Sequence, residues 1–431
     1  MTTEAAPELN TFNLRSTTAC ILGNMLLRAG SASATGCIAL YLAYLKREVH
    51  DVPAVFLGFL AVAFYTSELV LAPVFGTLSD RFGRKIFMLI GTVLGGVAVL
   101  VLPWSPALPI FVAVRIAEGL SSACSVPAVL GHLAANSHGS AAIRGRIMAI
   151  FEVATIVGFG LGFVLSGVFW DRLHTDAFYA VSLVYGASLL VFTQVLSRPG
   201  GRAAPDHGGW AVYKRLAVHS STIGFAPAWV TINAVLGMWF AHLGFQLAQV
   251  DDPSQLLVGG FTGTQVGLAT GGLALAFVIG TAGWAAAFGR IATQTIMTIA
   301  VSALGVCCVF LYLLNHTNQD ATGQVVAIVA VVVALLFIVS GFTPAALAHL
   351  AEISEGFKEH RGGVMGMYSV LLGLGQLLGG WIGGLFAQLW AVDGLIFATV
   401  LLGLVAQLTL MHLARSSARQ ARPQLEGGAG A

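Results

Sequence analysis

Long apolar runs joined by short polar connections constrain this chain more than any other feature. Residues 54 to 78 and 86 to 104 hold one charged residue between them, Glu68. Each run is long enough to cross a hydrocarbon layer of about 30 Å at about 1.5 Å per residue. Ten further runs, at 17–45, 108–134, 147–169, 177–197, 217–247, 262–287, 291–314, 324–350, 364–390 and 394–414, bring the number to twelve, called spans 1 to 12 below. Only 9% of the residues are charged, against about 25% in an average soluble domain, and 431 residues with so few charges cannot hydrate a soluble surface. The expected fold is an all-α integral membrane protein of twelve transmembrane helices. A net charge of +2 gives no nucleic-acid surface.

The basic residues are sorted by side. With the N-terminus in the cytoplasm, Arg15, Arg81, Arg84, Lys85, Arg144, Arg146, Arg198, Arg202, Lys214, Arg215, Arg290, Lys358, Arg361, Arg415, Arg419 and Arg422 fall inside, and only Lys46, Arg47 and Arg172 outside. Short cytoplasmic loops retain Lys and Arg, so this split supports both the count and the orientation. Both termini are then cytoplasmic, and the protein is expected in the cytoplasmic (plasma) membrane as a monomer in the lipid bilayer. The first fifteen residues lack the short apolar core and cleavage site of a secretory signal. Trp104, Trp170 and Trp390 fall at outer ends, where an interfacial aromatic belt belongs.

Composition breaks again at Ser197 to Gly209, SRPGGRAAPDHGG, which reads as a linker. The expected division is an N-terminal six-helix bundle at 1–197, a cytoplasmic linker at 198–216, a C-terminal six-helix bundle at 217–414 and a tail at 415–431. The halves repeat one another. Gly158, Gly162 and Gly167 recur as Gly375, Gly379 and Gly384 at an offset of 217, and Phe82-Gly83-Arg84 recurs as Phe288-Gly289-Arg290 at an offset of 206.

Between spans 2 and 3 stands GTLSDRFGRK, Gly76 to Lys85. It resembles the signature G-x-x-x-D-R-x-G-R-K of the major facilitator superfamily, with Gly76, Asp80, Arg81, Gly83, Arg84 and Lys85 at the fixed positions. The resemblance implies two pseudo-symmetric six-helix bundles that rock about a site near the membrane midplane, hence a secondary transporter and not an enzyme. It also makes this loop a cytoplasmic gate. Pseudo-symmetry places the end of span 2 beside the start of span 11, next to Arg361, where the Asp80 carboxylate would meet a helix N-terminus. Glu152, about a turn and a half from the cytoplasm, is assigned to the same gate.

Charge inside a membrane needs a partner or a wet cavity. Arg28 in span 1, Glu68 in span 2, Arg115 and Glu118 in span 4 and Glu152 in span 5 all lie in the first half. Arg115 and Glu118, three apart on one helix, can reach one another. Arg115-Ile-Ala-Glu-Gly119 resembles the superfamily's R-x-x-x-G motif, which implies that Arg115 controls protonation of a nearby acid. Arg28, Glu68, Arg115 and Glu118 are therefore the proton-coupling candidates, and a static ion pair holding spans 1, 2 and 4 together is the alternative.

Asn24, Arg28, Ser31 and Thr35 form a polar stripe on span 1, and span 7 carries Trp229, Asn233, Trp239, His242 and Gln246, side chains suited to an amphipathic ligand. These are the candidate cavity residues. Span 5 departs from the G-P-x-x-G-G pattern of exporters, since Phe159 stands where the proline would be. All five cysteines lie in apolar runs without metal spacing and read as packing residues, and no cofactor or metal is implied. The expectation is proton-coupled export of a small amphipathic or hydrophobic compound, with a lipid or metabolite carrier and a non-transporting receptor as the alternatives.

Overall fold

A computed structural model describes residues 13–49, 52–136, 141–196, 220–284, 287, 290–318, 320–355 and 361–427. The chain forms helices α1 (Leu14–Glu48), α2 (Ala54–Phe82), α3 (Arg84–Val99), α4 (Leu108–Asn136), α5 (Ala141–Leu173), α6 (Ala177–Thr193), α7 (Ser220–Ala248), α8 (Gly263–Trp284), α9 (Thr293–Asn315), α10 (Thr322–Val339), α11 (Phe342–Glu355) and α12 (Arg361–Gly427). Ten apolar stretches among the described residues are long enough to cross a membrane. Two of them, Arg146–Thr193 with 48 residues and Val370–Arg415 with 46, are about twice the needed length. Each turns at a residue of positive φ, His174 at 50° and Ala391 at 49°. Twelve crossings are compatible with this arrangement.

Span 10 is one apolar run in the sequence and two helices in the structure, α10 and α11. The cause is Trp284 of α8, whose Nε1 donates to the carbonyl of Phe337 at 3.1 Å, while the Ser340 hydroxyl donates to the same oxygen at 2.8 Å. The Gly341 amide, displaced from that acceptor, bonds Ile338 instead. The Trp284 ring lies where a Cβ on residue 341 would stand, so only glycine fits. Of the three tryptophans assigned to a belt, Trp104 and Trp390 are exposed, but Trp170 is buried against Tyr41. The five cysteines are buried and unbridged.

The repeat seen in the sequence has a structural meaning. A Cβ on Gly158 would strike the Met25 carbonyl and the Arg28 side chain, and one on Gly162 the Ala29 carbonyl, all on α1. Gly375 and Gly379 meet the Val230 and Ala234 carbonyls on α7 in the same way. Small residues let these backbones touch. Gly167 lies against Gly263 of α8, and its counterpart Gly384 against Gly58 of α2. Helices α1 to α6 pack among themselves, as do α7 to α12, and α5–α8 and α2–α12 are the broadest contacts between the two groups.

The face at which α1 begins and α12 ends is called terminal below, the opposite one distal. The two groups meet at the distal face. There Lys46 Nζ donates to Gln249 Oε1 at 2.7 Å, and Gly58 packs on Gly380 and Gly384. Phe163 stacks on Phe240 nearer the middle, at 5.6 Å. Towards the terminal face Asp80, Arg81 and Phe82 on α2, and Ile150, Glu152 and Val153 on α5, are exposed. The segment expected as a linker, 198–216, lies outside the described residues.

Candidate functional site

The intramembrane charges of the first half assemble into two hydrogen-bonded groups. Arg115 and Glu118 pair directly, Nη1 to Oε2 at 2.8 Å, and the Glu118 side chain has no exposed surface. The same Nη1 donates to Thr35 Oγ1 at 3.1 Å, the Tyr185 hydroxyl donates to Glu118 Oε1 at 3.4 Å, and the guanidinium lies 4.5 Å from the centre of the Phe64 ring. Helix geometry explains the pairing, since residues three apart on α4 share a face.

The second group is relayed. Arg28 Nη1 donates to Ser122 Oγ at 3.3 Å, and Ser122 donates in turn to Glu68 Oε1 at 2.5 Å. Arg28 and Thr35 are seven apart on α1, as Arg115 and Ser122 are on α4, so the groups sit about two turns, roughly 10 Å, apart along the helix pair. The four coupling candidates are brought together as two linked pairs.

Glu152 is exposed and within electrostatic reach of Arg28. It shares a face of α5 with Phe159, two turns on, whose ring centre is 5.4 Å from the Arg28 guanidinium. Asn24 donates to Thr155 Oγ1 at 2.9 Å, and the Thr155 hydroxyl donates in turn to the Phe151 carbonyl at 2.8 Å. Asn24 Oδ1 and Arg28 Nε are left without hydrogen-bond partners among the described residues.

On α7 the residues of the proposed cavity wall separate. Trp229 is 1% exposed and stacks between Phe225 and Phe342, inside the core of the second half. Asn233 is buried and donates to the Trp229 carbonyl at 2.8 Å. Trp239 donates to Thr399 Oγ1 at 2.9 Å, towards α12. His242 and Gln246 are buried at the seam. The first bonds the Gly380 carbonyl through Nε2 at 2.9 Å, and the second accepts from Gln249. His242 Nδ1 and Gln246 Nε2 have no hydrogen-bond partner among the described residues.

The loop between α2 and α3 is held locally. Gly83 has φ 104° and ψ 123°, a conformation that side chains disfavour. Arg84 turns back across it to Asp80, Nη2 to Oδ1 at 2.7 Å, and lies against Gly131 of α4. Lys85 Nζ donates to the Thr193 carbonyl at 2.6 Å, a cation at the C-terminus of α6. Gly76 faces Pro127 of α4, and Arg81 is exposed. The Arg361 side chain lies outside the described residues.

Ser122, Tyr185, Phe64 and Thr155 were not singled out from the sequence. Ser122 carried a usable signal, since Arg115, Glu118 and Ser122 follow the i, i+3, i+7 spacing of one helical face. Tyr185 carried none, being one of two tyrosines in an apolar run.

Two six-helix groups that meet at the distal face, with paired charges buried in one of them, define a class of membrane transporter. The sequence profile of the Major Facilitator Superfamily matches residues 25–334, and the chain belongs to that superfamily. It is a multi-pass membrane protein and a transporter, not an enzyme. Among solved structures, a mutant of the nucleoside transporter NupG superposes with a TM-score of 0.73 at 11% identity, covering 93% of this chain and 99% of the other. The human organic anion transporter MFSD10 (TETRAN) superposes with a TM-score of 0.60 at 19% identity, covering 92% and 99%. At such identities the likeness shows the fold. The quinolone resistance protein NorA of Staphylococcus aureus is 31% identical over 125 residues, 28% of this chain and 31% of that protein. Protein spinster homolog 3 of Danio rerio is 31% identical over 160 residues, 35% and 31% of the two lengths. The chain thus matches under a third of the length of these curated relatives.

Proposed function

We propose that the protein exports a small amphipathic or hydrophobic compound from the cytoplasm in exchange for protons, by alternating access at the plasma membrane, with both termini cytoplasmic. The observation that carries this reading is the pair of linked arginine–carboxylate groups in one half. A guanidinium stays charged, so its approach or withdrawal changes how readily a carboxylate takes a proton. The partial similarity to a quinolone resistance protein agrees with export. Compounds of this class should be screened in proteoliposomes of known orientation, with and without a pH gradient. Gradient-driven movement from the cytoplasmic side supports the proposal, and absence of any gradient response for every compound bound refutes it. Phe159, standing where the exporter pattern has proline and engaged with Arg28, favours uptake or flipping as the second reading, and the same vesicles report the direction.

In this reading Asp80 serves the cytoplasmic gate. In the open-gate arrangement it pairs with Arg84, and on closure it would exchange that partner for the N-terminus of α12. A carboxylate gains about 0.3 to 2 kcal/mol at such a site. Asp80→Asn should raise the inward-open population about fivefold. The check is the distance between spin labels on the terminal ends of α2 and α12, and an unchanged distribution would reduce Asp80 to the local partner of Arg84.

A further inference from the structure

At the distal face α5 ends beside the start of α8. Asp171, in the last turn of α5, accepts the backbone N–H of Gly263 on Oδ1 and that of Thr264 on Oδ2, both at 2.7 Å. These belong to the first turn of a 22-residue helix, whose leading N–H groups have no partner within the helix and carry its partial positive charge. Asp171 comes from the first half of the chain and α8 from the second, so a charge-assisted contact crosses the seam.

Two further observations make this contact separable from the fold of α8. The helix has its own cap: Gln265 Oε1 accepts the Thr262 amide at 2.9 Å, and the Thr262 hydroxyl accepts the Gln265 amide at 3.3 Å. That reciprocal pair leaves the amides of Gly263 and Thr264 for Asp171, so α8 stays capped when Asp171 withdraws. One turn before Asp171, Gly167 lies against the Gly263 backbone, where a Cβ on either residue would collide. The carboxylate is thus delivered to the helix end by a close approach of the two halves. The counterpart of Asp171 at the 217-residue offset is Gln388, exposed and uncharged, so the charge sits on one side only.

We propose that Asp171 is a gating residue for transport, whose carboxylate holds the distal face shut by capping α8 across the seam and lets go each time that face opens. This rests on the alternating-access reading above, and Asp80 would work at the opposite face on the same chemistry. The contact requires backbone amides within hydrogen-bond distance, so it exists only while the face is closed.

The test uses the full chain in proteoliposomes, with spin labels at Ala107→Cys and Asp320→Cys in the distal loops of the two halves and a second pair on the terminal ends of α2 and α12. The native cysteines are buried, which keeps the labelling selective. Asp171→Asn keeps the shape and removes the charge. It should raise the ratio of long to short distal distances about tenfold, with a matching rise in closed terminal distances. Asp171→Glu, still charged but one methylene longer, should fall between the parent and Asp171→Asn. If both variants keep the parental ratio, the gate assignment is overturned even where the melting temperature drops, because Asp171 is then only a cap. If neither label pair shows two distances in any variant or at any pH, the transport reading falls with it, whereas two populations that ignore Asp171 leave that reading standing and remove only the gate.

Discussion

A carrier with Glu68→Gln and Glu118→Gln together is expected to lose all response to a pH gradient while still binding its cargo. The two carboxylates are the anions of the linked groups, one bonded to Arg115 and the other through Ser122 to Arg28. Glutamine preserves the acceptor that Ser122 and Tyr185 use and removes the group that can gain or lose a proton. Transport by the double variant should fall to the level of vesicles without a gradient, and cargo binding should stay within about threefold of the parent, since glutamine keeps the shape of each side chain and an acceptor oxygen. The single variants apportion the role. Loss in Glu118→Gln alone places the proton at the enclosed pair, and loss in Glu68→Gln alone places it at the relayed one. Gradient-driven transport that persists in the double variant would sink the coupling proposal and leave the ion pairs as struts between α1, α2 and α4.

Arg115→Gln is expected to be the most destabilising single polar substitution in the first half. It leaves the Glu118 carboxylate, which has no exposed surface, without its cation. Removing one partner of a buried ion pair costs about 3 to 5 kcal/mol, which should appear as a large fall in melting temperature in detergent. The second substitution in this cycle is the informative one. Arg115→Gln with Glu118→Gln removes both charges and replaces the ion pair with two amides that can bond each other, so most of the lost stability should return. Gradient coupling should not return with it if the pair serves proton transfer. A double variant that regains both stability and coupling would assign Arg115 and Glu118 a purely structural part, and one that regains neither would mean that the site depends on more than this pair.

Much of the fold was legible in the linear chain because a membrane imposes local rules. An apolar run of twenty residues or more has few options besides a helix, so α1, α2, α4 and α9 fall within a few residues of the runs read from composition. Glycine spacing carried packing information as well: Gly158 and Gly162 meet α1 as Gly375 and Gly379 meet α7. Arg115 and Glu118 were legible as a pair because both members lie on one helix, where a spacing of three fixes their distance.

Relations between helices were a different matter. Span 10 reads as one apolar run, yet a tryptophan from α8 takes the Phe337 carbonyl and splits it into α10 and α11, an event with no trace in residues 324–350 themselves. Trp229 and Trp170 fit a cavity wall and a lipid interface by type and position, and tertiary packing put both into cores. Ser122 became the bridge between Arg28 and Glu68 only when α1, α2 and α4 were set side by side.

The sequence by itself determined that this protein is a helical membrane transporter, which residues are charged within its spans, and which loop carries the superfamily signature, since all three depend on residue type and spacing along the chain. Only the tertiary structure decided that Glu68 is joined to Arg28 through Ser122, that the halves are joined at the distal face, and that Asp171 reaches the amides of Gly263 and Thr264. Those contacts join residues up to 203 positions apart, and the hydrophobic pattern that drives a helix into a bilayer carries no record of the rotation and depth at which it meets its neighbours.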